Sequence, residues 1–191
     1  MIELYKPLEI PNLESIQQQL LSCVDEKYLT STESCAFNYG VDVFAEKFPE
    51  LAAWLISKSK VDIIHYRFYI TPPGARLAPH IDQVGEKPII PFRLSIPISG
   101  TKGTKLTFYS STKDIRENSS FVPDGYLGSK YQIDHRTAKP IDSLELVTPH
   151  FINTSVIHGI RNTTQLYRIA LSVTWKYTVD EYRNVEDVFN I

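Results

Sequence analysis

Two strong metal ligands, His80 and Asp82, stand either side of Ile81. On an extended chain, residues i and i+2 point to the same face, so an imidazole and a carboxylate can grip one ion together. A further histidine from a neighbouring strand would complete a two-histidine, one-carboxylate face. That face leaves three metal positions open, the arrangement that suits Fe(II) and O2 chemistry. A lone His-x-Asp is a common coincidence, so the rest of the chain must supply the third ligand and a reason for it. Five histidines are present: His65, His80, His135, His150 and His158. His158 is the strongest candidate, because it closes the apolar stretch 151–157 and precedes Gly159, where a strand would meet a turn. Ten residues on comes Arg168, at the start of another strand-like run, which suggests a hairpin with His158 late on one strand and Arg168 early on the next. An arginine buried near a metal needs an anion, and a carboxylate fits the guanidinium fork best. A dicarboxylate co-substrate that chelates the metal at one end would offer that carboxylate at the other, and 2-oxoglutarate is such a molecule.

Strands must carry these side chains. Along 61–70, Ile64, Tyr66, Phe68 and Ile70 form an apolar face, and Ile63, His65, Arg67 and Tyr69 a more polar one, with Thr71-Pro-Pro-Gly74 as the stop. Over 91–99, Phe92, Leu94, Ile96 and Ile98 alternate with Arg93, Ser95 and Pro97. Over 167–177, Tyr167, Ile169, Leu171, Val173 and Trp175 alternate with Arg168, Ala170, Ser172 and Thr174. Further strands are expected over 105–111, 144–147 and 151–157. Several short strands separated by turns imply a sandwich or barrel, whose polar strand faces could line the mouth of a small jelly roll. The first 60 residues read as helical. Leu13, Ile16, Leu20 and Val24 recur at helical spacing behind a capping Asn12, and a second helix starts near Pro49. The segment 112–142 reads as irregular, and 178–191 as a short charged tail with room for one last helix.

The chain of 191 residues suits one domain: a helical part over 1–60, a β core over 61–177 and the tail. A net charge of -2 and 22% charged residues argue against a general affinity for nucleic acid or anionic membranes. No apolar run approaches the roughly 18 residues of a membrane helix. The first residues lack a signal-peptide pattern, so a cytoplasmic protein is expected. Cys23 and Cys35 match no zinc or redox spacing and are expected to be free thiols.

The run Pro73-Gly-Ala-Arg-Leu-Ala-Pro-His80 with Asp82, then Arg93-Leu-Ser-Ile-Pro97, then His158 and Arg168-Ile-Ala-Leu-Ser-Val-Thr-Trp175 resembles the Fe(II)- and 2-oxoglutarate-dependent oxygenases. More narrowly it resembles the aspartyl/asparaginyl beta-hydroxylase family. The resemblance implies a mainly β protein with a double-stranded beta-helix (jelly roll) core and flanking N-terminal helices. It implies Fe(II), 2-oxoglutarate as co-substrate, O2, and hydroxylation of an unactivated carbon of an amino acid, a peptidyl Asp/Asn or another small polar substrate. Carried over by motif, His80, Asp82 and His158 would be the iron ligands. Arg168 would pair with the distal carboxylate of 2-oxoglutarate, and Arg93 would lie near the iron-proximal end. Ser95 stands where the best-known animal members carry a histidine near the co-substrate. Those members also lack the carboxylate ligand, which Asp82 supplies here. Many members of the wider superfamily place Ser or Thr two residues after the arginine; this chain has Ala170, leaving Ser172 or Tyr69 as helpers. The rival readings are a cupin-like metal protein or a non-catalytic jelly-roll module. Arg67, Arg76 and Arg161 could all lie near the mouth and favour an anionic substrate.

Overall fold

Every second side chain along the main strands is apolar, so each strand must cover one face, and in the computed structural model helices cover it. The structure describes residues 3–84, 87–89, 92–111, 116–117, 131–132, 137–176 and 184–191. The strands in chain order are β1 (Tyr5–Pro7), β2 (Cys35–Tyr39), β3 (Ile63–Thr71), β4 (Arg76–His80), β5 (Gln83–Val84), β6 (Lys87–Ile89), β7 (Phe92–Ser99), β8 (Thr104–Ser111), β9 (Arg116–Glu117), β10 (Tyr131–Gln132), β11 (Ala138–Glu145), β12 (His150–Asn153), β13 (His158–Asn162) and β14 (Arg168–Trp175). One antiparallel sheet runs β1-β12-β7-β14-β3-β2, the other β11-β8-β13-β4-β10-β9, and β5 pairs with β6. This is the mainly β, double-stranded beta-helix architecture expected from the sequence.

The helices are α1 (Leu13–Ser22), α2 (Val41–Lys47), α3 (Pro49–Lys58) and the short α4 (Val185–Val188). Helix α1 packs on β7 and α2 on β3. The larger core therefore lies outside the barrel, between the helices and the first sheet. Ile16, Leu20, Phe44 and Leu55 meet Tyr66, Phe68, Leu94, Ile96, Leu171 and Val173 there. Trp175 is sealed in it, and its indole Nε1 donates to Ser59 Oγ at 2.7 Å. Because this core takes the apolar faces of β3, β7 and β14, their polar faces turn inward, toward the second sheet. A smaller cluster of Leu106, Phe108, Leu146 and Ile152 fills part of the interior.

Several local expectations are corrected. The first 60 residues are not wholly helical, since β1 and β2 join the edges of the first sheet; their 3- and 5-residue lengths are too short for a clear alternation. Asn12 has a left-handed backbone (φ 54°) and its side chain makes no cap bond, so it ends the preceding turn instead. Pro49 does open α3. In β3 the alternation slips, with Ile63 buried and Ile64 only half-buried, because a bulge shifts the register between Thr174 and Trp175 of β14. The strand expected over 151–157 ends at Asn153, whose side-chain Oδ1 accepts from the Ser155 backbone N–H (3.2 Å) and Oγ (2.6 Å) and turns the chain. The strand expected over 144–147 is β11, which starts inside the segment read as irregular. Its residues are mostly exposed, and it carries Pro140 beside a register shift, so its pairing with β8 defines it rather than its own pattern. Most of the rest of 112–142 lies outside the described residues, as do His135 and Tyr177. Cys23 and Cys35 are free thiols. Among the described residues, no helix is long and apolar enough to cross a membrane.

Candidate metal centre

Strands β4 and β13 are antiparallel neighbours, and their register sets His158 directly opposite His80. The ring centroids are 4.5 Å apart. A register shift follows at once between His158 and Ile160, with Gly159 in the gap. A Cβ on Gly159 would stand 2.9 Å from the Leu77 carbonyl oxygen, so only glycine lets β13 approach β4 this closely. Asp82 lies just past the end of β4. Buried Ile81 anchors it, and the Asp82 backbone N–H donates to Thr154 O at 3.1 Å, in the turn that leads into His158. The three ligand atoms of His80, Asp82 and His158 lie within 4.8 Å of one another.

Hydrogen bonding selects the free ring nitrogens. His80 Nδ1 is 2.7 Å from Ala78 O, and His158 Nδ1 is 2.9 Å from Val156 O. A carbonyl only accepts, so each Nδ1 carries the proton and each neutral ring keeps its lone pair on Nε2. Burial, with the neighbouring His80 ring, pushes the His158 pKa down to about 4, so this ring is neutral at pH 7. Burial alone would raise the Asp82 carboxyl. The Arg93 guanidinium, helped by His80 and His158, outweighs it and holds Asp82 well below the usual carboxylate range. Asp82 Oδ1 is 3.5 Å from His80 Nε2, while Oδ2 is 2.8 Å from Arg93 Nε. That Nε–H is not aimed at the oxygen, so the contact is an ion pair rather than a hydrogen bond. Two lone pairs and an ionised carboxylate form a donor set suited to a divalent transition metal. Ligands at right angles on bonds of about 2.1 Å lie about 3 Å apart, and the His80 Nε2–Asp82 Oδ1 pair already stands at 3.5 Å.

Beside this cluster a cavity opens between the sheets. Tyr69, Arg93, Ser95, Arg168, Ala170 and Ser172 of the first sheet line it, and they all come from the polar strand faces read in the sequence. Leu77, Leu106, Ile152 and Ile160 supply apolar walls. Arg168 is 3% exposed, and among the described residues its Nε has no hydrogen-bond partner. Burial lowers its pKa to about 10, against a smaller raising effect from Tyr69. It is still charged at neutral pH: a buried cation lining a space with apolar walls, with no carboxylate paired to it among the described residues. Tyr69, opposite Ala170 in register, accepts a hydrogen bond from Arg93 Nη1 at 2.6 Å. Its own hydroxyl proton stays available to a ligand.

His158 and Arg168 are not on a hairpin of one sheet. β13 pairs with β4 and β8, whereas β14 lies between β3 and β7 in the other sheet. The two residues meet across the interior, because the chain crosses between sheets through 163–167. Buried Asn162 governs that crossing. Its Nδ2 contacts Thr71 O, Pro72 O and Leu166 O at 2.8–3.0 Å, and its Oδ1 accepts from Thr164 N at 3.0 Å. Gly100 matters on the other side: with φ 61°, a Cβ there would lie 2.1 Å from Tyr167 O, next to Arg168. Neither residue stands out in the sequence, because neither belongs to a local chemical motif.

Arg76 and Arg161 are not at the mouth. They pair with each other in register at the far end of β4 and β13 and are exposed. Arg67 does share the inward-facing set of β3, where its Nε donates to Asn38 Oδ1 at 2.6 Å. His65 is exposed. His150 is a buried β12 residue opposite Ser95, its Nδ1 2.8 Å from Thr148 O.

No protein-family model matches the sequence, nor does any curated protein. Solved structures are similar in fold. The non-heme alpha ketoglutarate dependent epimerase SnoN from nogalamycin biosynthesis aligns over 90% of this chain and 76% of its own, at 12% identity and a TM-score of 0.50. The non-heme alpha ketoglutarate dependent carbocyclase SnoK from the same biosynthesis aligns over 93% and 83%, at 9% identity and a TM-score of 0.50. A Pseudomonas putida prolyl-4-hydroxylase aligns over 90% of both chains at 11% identity, with a TM-score of 0.49 too low to add weight. At these identities the likeness is one of fold: the chain is a double-stranded beta-helix whose structural neighbours include 2-oxoglutarate-dependent enzymes.

Proposed function

We propose that this protein is an Fe(II)- and 2-oxoglutarate-dependent dioxygenase that hydroxylates an unactivated carbon of an amino acid, a peptidyl Asp/Asn or another small polar substrate. The observation that carries the reading is Arg168: a buried, charged guanidinium whose Nε has no hydrogen-bond partner among the described residues, in the same cavity as a His-Asp-His cluster. A site for a metal alone gives no reason for that cation, because isolating a charge from water and from an anion costs several kcal/mol. A dianion that meets the metal with one end and Arg168 with the other explains both.

His80 Nε2, His158 Nε2 and one oxygen of Asp82 would hold the iron, which, when bound, supplies the O2-dependent oxidation and the decarboxylation of 2-oxoglutarate to succinate. The chain's own tasks are binding, orientation and exclusion of water. Two neutral imidazoles and one carboxylate leave a bound dication with a net positive charge, which favours a dianionic co-substrate. Arg168 would take its distal carboxylate, with the Tyr69 hydroxyl as a further donor. Ser95 and Arg93 would flank the proximal end, and Leu77, Leu106 and Ile160 would pack on its methylenes and keep water out. The aspartyl/asparaginyl beta-hydroxylase resemblance favours an amino-acid or peptide substrate. The near-neutral charge gives no reason to expect nucleic-acid or membrane partners.

The test is succinate release by purified protein with Fe(II), O2 and 2-oxoglutarate, first alone and then with amino acids and peptides. Slow uncoupled release is expected, rising with the true substrate, and His158→Ala should abolish it. Equal turnover by that variant refutes the site. Stoichiometric metal binding with no succinate under any condition leaves a metal-binding jelly roll without oxygenase chemistry.

A further inference from the structure

Asp82 is the residue that separates this chain from the narrower family it resembles, and the structure gives it a dedicated partner. One carboxylate oxygen, Oδ2, is 2.8 Å from Arg93 Nε, and the other, Oδ1, turns toward His80 Nε2 at 3.5 Å. Arg93 is itself held. Its side chain is largely buried, it rises from the central part of the first sheet between β12 and β14, and its Nη1 donates to Tyr69 Oη at 2.6 Å.

We propose that Arg93 is a positioning residue for the metal: it occupies one oxygen of Asp82 so that the other alone faces the ion. The inference rests on the function proposed above. A carboxylate free to rotate can bind a metal through both oxygens, and the second oxygen would then take a position that a chelating co-substrate needs. Asp82 lies beyond the end of β4, where no strand ladder restrains its torsion. The Arg93 guanidinium, planar and fixed by its hydrogen bond to Tyr69, supplies the missing restraint from the opposite sheet through the ion pair.

Charge and geometry pull in opposite directions. The positive charge of Arg93 repels a bound dication, whereas its placement of Asp82 favours binding. A substitution that removes the charge would mix the two effects. Arg93→Lys keeps the charge and loses the fork, so it isolates geometry.

The experiment titrates Co(II) into the metal-free protein, following the visible absorption of the bound ion, which reports coordination number as well as affinity. Arg93→Lys is expected to bind Co(II) 10–100-fold more weakly than wild type, the usual loss when a group supporting a metal ligand is removed. It should also show an altered Co(II) spectrum. In the Asp82→Ala background, where there is no carboxylate to position, the same lysine substitution should change affinity less than about threefold. Far-UV circular dichroism and a thermal melt of each variant separate misfolding from misplacement, and Arg93→Gln serves as the second variant if lysine does not fold. Wild-type affinity and spectrum in Arg93→Lys overturn the proposal, and so does an equal loss in both backgrounds. A variant that binds Co(II) normally but needs more 2-oxoglutarate at saturating metal would show Arg93 to be a co-substrate clamp instead. Failure of the wild-type protein to bind Co(II) at all would overturn the metal site itself, a distinct outcome.

Discussion

Replacing Arg168 by methionine should make the metal-free protein more stable and deaf to 2-oxoglutarate. The guanidinium is 3% exposed, and burial takes its pKa from 12.5 to about 10. Each tenfold change corresponds to about 1.4 kcal/mol, so the charged form is about 3 kcal/mol worse off in the cavity than in the unfolded chain. The folded pKa is the lower one, so the penalty is fully present at neutral pH and fades only as pH rises through 10. Relaxation and water entry reduce it, and roughly 1–3 kcal/mol is a fair expectation for replacement by a flexible apolar side chain of similar length. For a chain of this size that corresponds to a rise in melting temperature of roughly 2–10 °C. Ligand should reverse the order. A co-substrate at 100 times its dissociation constant stabilises the wild type by about 2.7 kcal/mol, and the variant should gain little of this. The assay is thermal unfolding of both proteins, metal-free and with Mn(II), with and without 2-oxoglutarate. A variant less stable than wild type when metal-free would show that Arg168 has a structural partner. A variant that 2-oxoglutarate stabilises as strongly as wild type would remove Arg168 from the co-substrate site.

Acid should destabilise the metal-free protein earlier than carboxylate titration alone would. The unfolded chain protonates His158 near pH 6.5 while the folded chain holds it neutral to about 4, so stability falls by about 3 kcal/mol across that window. Urea titrations of His158→Gln should show a flatter slope there, and an unchanged slope would contradict the assignment. The Asp82 folded pKa is also depressed, there because the fold favours the charged form, and its contribution is lost only as pH falls below its ordinary value of 3.8. Gly159→Ala should cost roughly 1–3 kcal/mol by forcing β13 away from Leu77, and should weaken Co(II) binding by moving His158. Normal metal affinity in that variant would show that the close approach does not place the ligand. Asn162→Ala strips the buried carbonyls of Thr71 and Pro72 of their side-chain donor and should cost about 2–4 kcal/mol in urea unfolding. A loss within experimental error would mean that the crossing into β14 is held by other contacts.

Strands β3, β7 and β14, which line the cavity, were legible because each obeys period two over eight or nine residues, and so were the ligand types and their order; β4 and β13, which carry the two histidines, are five residues each and too short to show the pattern. His80, Asp82 and His158 do converge, and Arg93, Ser95, Tyr69, Arg168 and Ser172 do face one cavity. The edge strands β1 and β2 were illegible as strands, and β11 was legible only at its end, over 144–145. Their pairing partners, rather than their own alternation, make them extended. Asn162, Gly100 and Gly159 were illegible as site-building residues, since a glycine or an asparagine declares its role only through the backbone that passes beside it.

The sequence by itself determined which faces are polar, which residue types can hold a metal, and that a cation must find an anion, because these follow from local spacing and side-chain chemistry. Only the tertiary structure decided that the polar faces point inward. The helices claim the apolar faces of β3, β7 and β14, and a choice between two sides of a sheet depends on what packs there. It also decided that His158 and Arg168 come from opposing sheets rather than one hairpin. Their approach is set by the crossing at 163–167, a contact between chain segments that no spacing along the sequence encodes.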